Sequence, residues 1–397
     1  MRAHRTLVSW AFYDFANTIF SAVVLTTYFP LYLTEITGTN WSLGAATTGS
    51  MVLAALAIPV LGALSDQTGK TKNYLIRTTV LAVAFLFCFV LTKNPILLTI
   101  LFLIACFFFH ASLVFYNTLL PVAAPPEHQG FASGLGTGLG YLGVVVALPL
   151  MHIVDGSLGR VWVFPASGIL FLLFALPLFL FVPERDVEHP IKFRRQLWGE
   201  EWRKLRGTIR GLATEPKLLL FLGGNFFVVD AMNSLIFWVS VYTREVFNPG
   251  QSDIISFLLI LNASAFAMGL LNGVLTDRIR AFPTMILSSA TLALMLVGLT
   301  FITDFWLFRL VAVTAGAFAI SGIWTAGRKV LLELAPANSV GEYFGLYGLT
   351  TKISVVASLL FSVTADVSGF QSALWILVFP AAVGCAFLIA SAMVPLK

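Results

Sequence analysis

Charged residues are scarce in this chain. Asp, Glu, Lys and Arg make up 11% of its 397 residues, whereas they make up about 25% of a soluble domain. Hydrophobic residues make up 58%, and 36 residues are phenylalanine. A soluble fold does not bury that much apolar surface with so few charges. The composition therefore excludes a soluble globular protein and indicates a polytopic membrane protein.

Cysteine is also scarce, and the sequence contains no motif of a known catalytic site. The three Cys, at 88, 106 and 385, lie in apolar runs, and an odd, scattered set argues against a disulfide framework or a metal site. The chain shows no nucleophile triad, no metal-ligand spacing and no ATP-binding motif. We therefore expect no enzyme activity, no metal, no cofactor and no transport powered directly by ATP.

A glycine-rich segment at 134–143 does not qualify as a nucleotide-binding loop. It has no strand before it and no Lys-Ser/Thr at the required spacing. The spacing of Gly136 and Gly140 instead predicts a small-residue face on which a neighbouring helix packs closely.

Twelve apolar runs are each long enough to cross a bilayer, which takes about 20 residues. The predicted spans are 7–33, 44–64, 74–92, 96–120, 130–151, 161–182, 217–242, 253–275, 282–302, 305–327, 344–365 and 371–394. The first run is too long for a signal-peptide core, so we expect it to be retained. The longest loop divides the spans six and six. This predicts an N-terminal six-helix bundle at 1–182, a linker at 183–216 and a C-terminal six-helix bundle at 217–397.

The positions of the basic residues predict the orientation. An even number of spans places both termini on one face. Of the 24 Lys and Arg, nineteen fall on that face, whereas Lys93, Arg160 and Arg244 fall on the other and Arg309 and Lys352 lie inside spans. The positive-inside rule then makes both termini cytoplasmic. The net charge of +5 thus reflects the basic residues on the cytoplasmic face, and no nucleic-acid partner is expected.

The linker carries an amphipathic pattern. Trp198, Trp202, Leu205, Ile209 and Leu212 recur at spacings of four and three, with basic residues on the other faces. This pattern predicts a basic amphipathic helix lying on the inner leaflet. The alternative is a solvated linker whose charges only fix the topology.

Several landmarks of the first half recur in the second, 211 to 216 residues further on. The pairs are Asp14 with Asp230, Asn17 with Asn233, Asp66 with Asp277, and Pro125 with Pro336. Matching landmarks at matching topological places indicate a duplicated architecture. Two six-helix halves related by an axis along the membrane normal are typical of one class of transporters.

The loop after the second span has a recognisable pattern. Its Gly and charged residues are Gly62, Asp66, Gly69, Lys70 and Lys72, and its second-half copy keeps Asp277 and Arg278. The pattern resembles the loop signature of the major facilitator superfamily, although Gln67 stands where a basic residue is usual. The resemblance implies an all-α membrane protein with twelve transmembrane helices in two six-helix bundles. It also implies secondary transport by alternating access.

Four further stretches, 13–17, 115–121, 133–143 and 342–347 with the following Lys352, are spread over the chain. They resemble the vacuolar amino-acid effluxer-like family, also called the unknown major facilitator family. Where that pattern has a Gly-Pro pair after the Lys, this chain has Ala357 and Ser358. The resemblance implies efflux of a small polar solute, an amino acid or related metabolite. A short chain without long soluble insertions looks bacterial, so we expect the inner membrane.

Polar residues inside apolar spans are costly in hydrocarbon and therefore mark candidate sites. The candidates for solute binding or proton coupling are Asp14, Asn17, Asp230, Asn233, Lys352, Arg309, His110, Tyr116 and Asn117. Desolvation favours the protonated form of a carboxylate, which suits proton loading. Asp230 lies nearer mid-span than Asp14 and is the stronger candidate.

Several of these candidates have a structural alternative, and Tyr116 and Asn117 can line the pathway or only bridge helices. Asp14 can hydrogen-bond a neighbouring helix near the cytoplasmic end, and His110 can pack as a neutral side chain among phenylalanines. Lys352 can neutralise Asp230, meet an anionic group of the solute or snorkel to the interface, as Arg309 can at the outer end of its span.

The loop residues are expected to have a conformational role. They are Gly62, Asp66, Gly69, Lys70, Lys72, Asp277 and Arg278. A carboxylate there can cap a helix N-terminus or pair with a basic residue, and such contacts hold one face of a transporter closed.

The sequence thus favours a monomeric secondary transporter of a small polar solute, whose partners are the solute, the bilayer and the proton as coupling ion. One alternative is an exporter of lipids or lipophilic compounds, for which the many Phe and an apolar cavity open to the bilayer would argue. Another is a non-transporting receptor or scaffold, which a cavity plugged by Phe would support.

Overall fold

The computed structural model describes residues 2–37, 41–187, 190–191, 195–353 and 356–395. All regular secondary structure within these ranges is helical. This agrees with the expectation of an all-α protein.

The helices of the first half follow the predicted spans closely. They are α1 (Arg2–Ile19), α2 (Phe29–Thr37), α3 (Trp41–Thr68), α4 (Thr71–Cys88), α5 (Pro95–Thr118), α6 (Leu120–Ala123), α7 (Gln129–Leu158) and α8 (Val163–Phe181). A π-helical segment, Phe20–Tyr28, joins α1 to α2, so the first span is one long helical rod.

The second half begins with the helix of the linker. Its helices are α9 (Arg195–Gly211), α10 (Pro216–Phe247), α11 (Gln251–Ile279), α12 (Ala281–Leu299), α13 (Phe305–Val311), α14 (Ala317–Leu334), α15 (Val340–Ile353), α16 (Val356–Ser368) and α17 (Phe370–Met393). The π-helical segment Ala312–Gly316 joins α13 to α14.

Local sequence sets the ends of several helices. Asn94 caps α5, since its side-chain oxygen accepts from the N–H groups of Ile96 and Leu97, and Pro95 occupies the first turn. Asp304 caps α13 in the same way through the N–H of Leu307.

Within the described residues, ten helices are long and apolar enough to cross a membrane. The remaining two predicted spans are 44–64, which falls in α3, and 344–365, which is described as α15 and α16 with residues 354–355 outside the described part. The chain is therefore a multi-pass membrane protein, and the count of twelve spans with cytoplasmic termini stays a prediction.

The chain divides into two compact units. Unit 1 is Met1–Leu205 with Ala335–Leu349, and unit 2 is Arg206–Leu334 with Thr350–Lys397. The boundaries differ from the predicted halves at two places, because the division falls inside α9 and because 335–349 packs with the first half. Helix α15 consequently begins in unit 1 and ends in unit 2.

Close helix packing in each unit depends on glycine. In unit 1 a Cβ added to Gly140 would lie 2.9 Å from the Thr18 hydroxyl, and one added to Gly143 would lie 2.8 Å from the carbonyl oxygen of Phe15. The predicted small-residue face of α7 is thereby confirmed, with α1 as its partner. In unit 2 a Cβ at Gly384 would lie 2.7 Å from the backbone nitrogen of Val228, so α10 and α17 meet equally closely.

Several phenylalanines of unit 1 stack in pairs. The rings of Phe29 and Phe102 stack at 3.8 Å and those of Phe20 and Phe109 at 4.3 Å between centroids. Ring stacking at these distances adds to the favourable burial of apolar surface. Many of the 36 Phe therefore serve helix packing in this part of the chain.

The linker does contain a helix, α9. Its Leu205 is buried, and so is Glu201, whose carboxylate accepts a hydrogen bond from the side-chain amide of Gln67 in unit 1. The side chains of Trp198 and Ile209 lie outside what the structure describes. Contact between α9 and the inner leaflet stays a prediction.

Candidate functional site

Asp66, in the last turn of α3, holds the first turn of α15 within unit 1. Its carboxylate accepts the backbone N–H groups of Gly341 at 2.9 Å and Glu342 at 3.0 Å, and the residue is only 6% exposed. The first N–H groups of a helix have no intrahelical partner and carry the positive end of the helix dipole. The carboxylate satisfies two of them and adds a favourable charge–dipole interaction.

A cation completes this site. Arg185, just beyond α8, pairs with Asp66 at 2.6 Å and also donates to the carbonyl of Ala337. Lys70 and Lys72, the basic residues of the loop itself, are not its partners in the described ion pairs. Sequence reasoning assigned Arg185 only to topology, because 119 residues separate it from Asp66.

Glycines allow the close approach on which this site depends. A Cβ at Gly62 would lie 2.0 Å from the carbonyl oxygen of Gly341, so no larger residue fits without moving α15. Gly69 has φ of +61°, a left-handed conformation that glycine adopts without strain, and it turns the chain from α3 into α4. We refer to Gly62, Asp66, Arg185 and the first turn of α15 as the Asp66 latch.

The neighbouring loop residues have other partners. Gln67, which stands where the family has a basic residue, binds Glu201 of the linker helix through its side-chain amide. Lys72 lies in the first turn of α4, where Glu184 accepts its backbone N–H at 2.6 Å and that of Asn73 at 3.2 Å. Lys70 is exposed.

The second-half copy of the loop is built differently. Asp277, near the end of α11, pairs with Lys329 of α14 at 2.6 Å, and both side chains are nearly buried. Arg278 beside it is exposed. Lys329 was counted among the topology-setting charges, and its distance of 52 residues from Asp277 left no local signal.

Asp14 lies in a tightly packed cluster on α1. The residue is 5% exposed, and its carboxylate accepts from the side-chain amide of Asn17 at 2.8 Å. A Cβ on Gly136 would lie 2.6 Å from the Asp14 carboxylate and 3.0 Å from the Tyr116 hydroxyl. Trp10 stacks on Tyr116 at 4.3 Å and donates to its carbonyl. The structure thus brings Asp14, Asn17 and Tyr116 together against α7.

Two other candidates, His110 and Asn117, lie on α5, the helix that also carries Tyr116. His110 is buried next to the ring of Phe109, whose centroid is 5.2 Å away. Asn117 is partly exposed, and among the described residues no group hydrogen-bonds its buried side-chain oxygen.

Asp230 is buried on α10 and binds a main-chain amide. Both carboxylate oxygens accept from the N–H of Ala357, at 3.2 and 3.1 Å, and the residue is 4% exposed. Ala357 lies in the first turn of α16. The carboxylate is therefore held by a helix end, as in the Asp66 latch, but inside unit 2. A proline at 357 would have no N–H to donate.

Two further side chains of α10 contact the same stretch of chain. Asn225 donates to the Thr350 hydroxyl at 3.1 Å, and Trp238 donates to the Ser358 hydroxyl at 3.0 Å. Two polar oxygens on this helix, Asn225 Oδ1 and Ser234 Oγ, are buried and have no hydrogen-bond partner within the described ranges. A buried polar oxygen without a partner is costly and is a group that a ligand or water can satisfy. Sequence reasoning missed Asn225, Ser234 and Trp238.

The remaining candidates lie apart from Asp230 or are only partly described. Asn233 is partly exposed on α10. The guanidinium of Arg309 lies 5.3 Å from the ring centroid of Trp306, on the exposed side of α13. Lys352 belongs to α15, but its side chain lies outside what the structure describes, so its pairing with Asp230 stays a prediction.

No cluster of His, Cys, Asp and Glu among the described residues could hold a metal ion. Buried carboxylates inside helices that cross a membrane are typical of transport proteins. The match to a family model agrees. Residues 11–348 match the model of the Major Facilitator Superfamily, and the chain belongs to that family of transporters.

A relative supports the same assignment, and two solved structures share the fold. The uncharacterized MFS-type transporter YxiO of Bacillus subtilis is 25% identical over 390 residues, which cover 92% of this chain and 89% of YxiO. A bacterial homologue of the iron transporter ferroportin, in its outward-facing state, has a TM-score of 0.74 at 14% identity, with 99% of each chain covered. The proton:xylose symporter XylE has a TM-score of 0.74 at 14% identity, with 99% of this chain and 95% of XylE covered. At such identities these two structures are evidence for the fold alone.

Proposed function

We propose that this secondary transporter exports a small polar solute, an amino acid or related metabolite, by alternating access and in exchange for protons. The buried carboxylate of Asp230, bound to the N–H of Ala357, is the observation that carries the proposal. A carboxylate inside a spanning helix is costly and is retained mainly where it serves transport.

Protonation of Asp230 would change its bond to α16. The ionised carboxylate accepts the N–H strongly because the bond is charge-assisted. A protonated carboxyl is a weaker acceptor and gains an O–H that needs an acceptor of its own. Proton binding would therefore loosen the contact between α10 and α16, which is a direct link between protonation and helix position.

Polar groups near Asp230 favour a polar solute over a lipophilic one. Asn225 and Ser234 place buried oxygens on the same helix, and a solute with amino or hydroxyl donors would satisfy them. The choice of an amino acid or related metabolite, and the direction of transport, rest on the sequence resemblance to the vacuolar amino-acid effluxer-like family.

The Asp66 latch supports the conformational part of the proposal. It fixes the start of α15 in unit 1, while Asp230 fixes the start of α16 in unit 2. The predicted eleventh span therefore carries two helix starts, each held by a carboxylate. We expect alternating access to require release of the first contact and proton-dependent loosening of the second.

Transport assays in proteoliposomes test the proposal. A thermal-shift screen of the purified protein against amino acids and sugars at high concentration would first identify a stabilising solute. Accumulation of that solute, radiolabelled, is then measured with and without a pH gradient of either polarity. We expect Asp230→Asn to lose the gradient-dependent component while solute exchange without a gradient persists.

Asp366→Asn is the matched control, because Asp366 is an exposed acid on α16 of the same unit. It should transport like the parent protein. Full gradient-driven accumulation by Asp230→Asn would disprove coupling through this carboxylate.

A further inference from the structure

A cavity of about 570 Å³ lies in unit 1, at the end of the spanning helices near the chain's N-terminus. The start of α1, the first turn of α4, the chain around α6 and the end of α8 form its wall. The lining residues are Thr6, Lys72, 121–125 and 180–183. This is the face that the distribution of Lys and Arg predicts to be cytoplasmic.

One cation, Lys72, lines this cavity, and a second, Arg5, packs on the ring of a wall residue. Lys72 belongs to the wall, and the guanidinium of Arg5 lies 3.4 Å from the ring centroid of Phe181, another wall residue. Among the described residues neither cation has a carboxylate within 4.0 Å. Glu184 lies beside Lys72, but its oxygens accept the N–H groups of Lys72 and Asn73 at the start of α4. Neither cation is thus held in an ion pair among the described residues, although the Glu184 carboxylate interacts electrostatically with Lys72.

The backbone of the wall offers few donors. The N–H groups of Val122 and Ala123 donate to the carbonyl of Leu119, and that of Ala124 donates to Leu120. The prolines at 121 and 125 have no N–H. Recognition in this cavity therefore depends on the charges of the side chains rather than on a nest of backbone amides.

One side of the cavity is apolar and exposed. Leu180 and Phe181, at the end of the spanning helix α8, are 66% and 38% exposed. Apolar residues exposed on such a helix contact acyl chains. A cationic cavity beside an acyl-contacting wall has the two features that a phospholipid with an anionic head group requires.

We propose that this cavity binds the phosphate of an anionic phospholipid of the inner leaflet, such as phosphatidylglycerol. Lys72 and Arg5 neutralise the phosphate, and the acyl chains pack along Leu180 and Phe181. A free phosphate ion shares the charge chemistry, but it has no chains to cover the exposed apolar wall.

Native mass spectrometry of the purified full-length protein tests the proposal. The protein is titrated with phosphatidylglycerol, with phosphatidylcholine and with inorganic phosphate, and bound molecules are counted. The variants are Arg5→Gln/Lys72→Gln, which removes the charges, and Val122→Trp, which fills the cavity without changing the charge. Arg77→Gln is the matched control, since Arg77 is an exposed cation on α4 that neither lines the cavity nor, among the described contacts, packs on a wall residue as Arg5 does.

We expect phosphatidylglycerol to bind more tightly than phosphatidylcholine. Affinity should fall about fivefold for each cation removed, by the usual contribution of one basic residue near an anionic membrane surface. Val122→Trp should lose the same bound lipid, whereas Arg77→Gln should keep it. Equal losses in Arg77→Gln and the double variant, or no loss in either cavity variant, would overturn the proposal. Inorganic phosphate that displaces the lipid at equal concentration would assign the cavity to free phosphate instead.

Discussion

The strongest prediction concerns Asp66→Asn in the Asp66 latch. The first N–H groups of α15 lack intrahelical acceptors, so their protection from solvent exchange depends on the carboxylate that accepts them. An asparagine keeps one carbonyl oxygen but replaces the other with an amide that donates. One of the two N–H bonds is then lost, and the ion pair with Arg185 disappears.

The size of the effect follows from these contacts. A hydrogen bond to a charged group contributes about 1.5–3 kcal/mol to stability, whereas a neutral one contributes about 1 kcal/mol. Asp66→Asn loses one hydrogen bond to a charged acceptor, makes the other one neutral and removes the ion pair with Arg185. Together these losses should cost about 3 kcal/mol of local stability. This corresponds to roughly 150-fold more frequent opening of the first turn of α15.

Hydrogen–deuterium exchange of the purified protein measures that opening directly. Peptides that contain Gly341 and Glu342 should exchange roughly 150-fold faster in Asp66→Asn, by the free-energy difference above. Asp277→Asn is the matched control, because Asp277 pairs with Lys329 in unit 2 and should leave these peptides unchanged. Parental exchange rates in Asp66→Asn would show that the carboxylate does not hold α15.

Two substitutions test packing and charge elsewhere. Gly136→Ala should lower the free energy of unfolding by about 1–3 kcal/mol, because its Cβ would crowd Asp14. Gly156→Ala on the same helix is the control, since a Cβ there would have nothing within 4 Å and should be neutral or stabilising. Equal melting temperatures for the two variants would contradict the packing argument. Lys329→Met should remove a cation from the nearly buried Asp277 and cost about 3 kcal/mol. Adding Asp277→Asn should then recover part of the melting temperature, and no recovery would contradict the pairing.

The two halves use their matching carboxylates differently. Asp14 and Asp230 occupy equivalent places in the sequence, yet Asp14 packs against a glycine face and Asp230 binds a backbone N–H. Asp66 binds a helix start and Arg185, whereas the described ion pair of Asp277 is with Lys329 of α14. The described contacts of the matching carboxylates therefore differ between the two halves.

The sequence by itself determined the membrane class, the approximate spans and the loop signature of the family. Each of these depends on local composition, hydrophobic run length or short spacing. It also located Asp14, Asp230 and Asp66, since a charge in an apolar run, or a Gly–Asp–Gly turn, is visible without a fold.

Only the tertiary structure decided which groups these carboxylates bind. Arg185 is 119 residues from Asp66, Gly341 is 275 residues from it, and Ala357 is 127 residues from Asp230. Two of these partners are backbone N–H groups, which every residue except proline possesses and no side-chain pattern marks. Helix packing brings them within hydrogen-bonding distance, so the partners follow from the packing rather than from the local sequence.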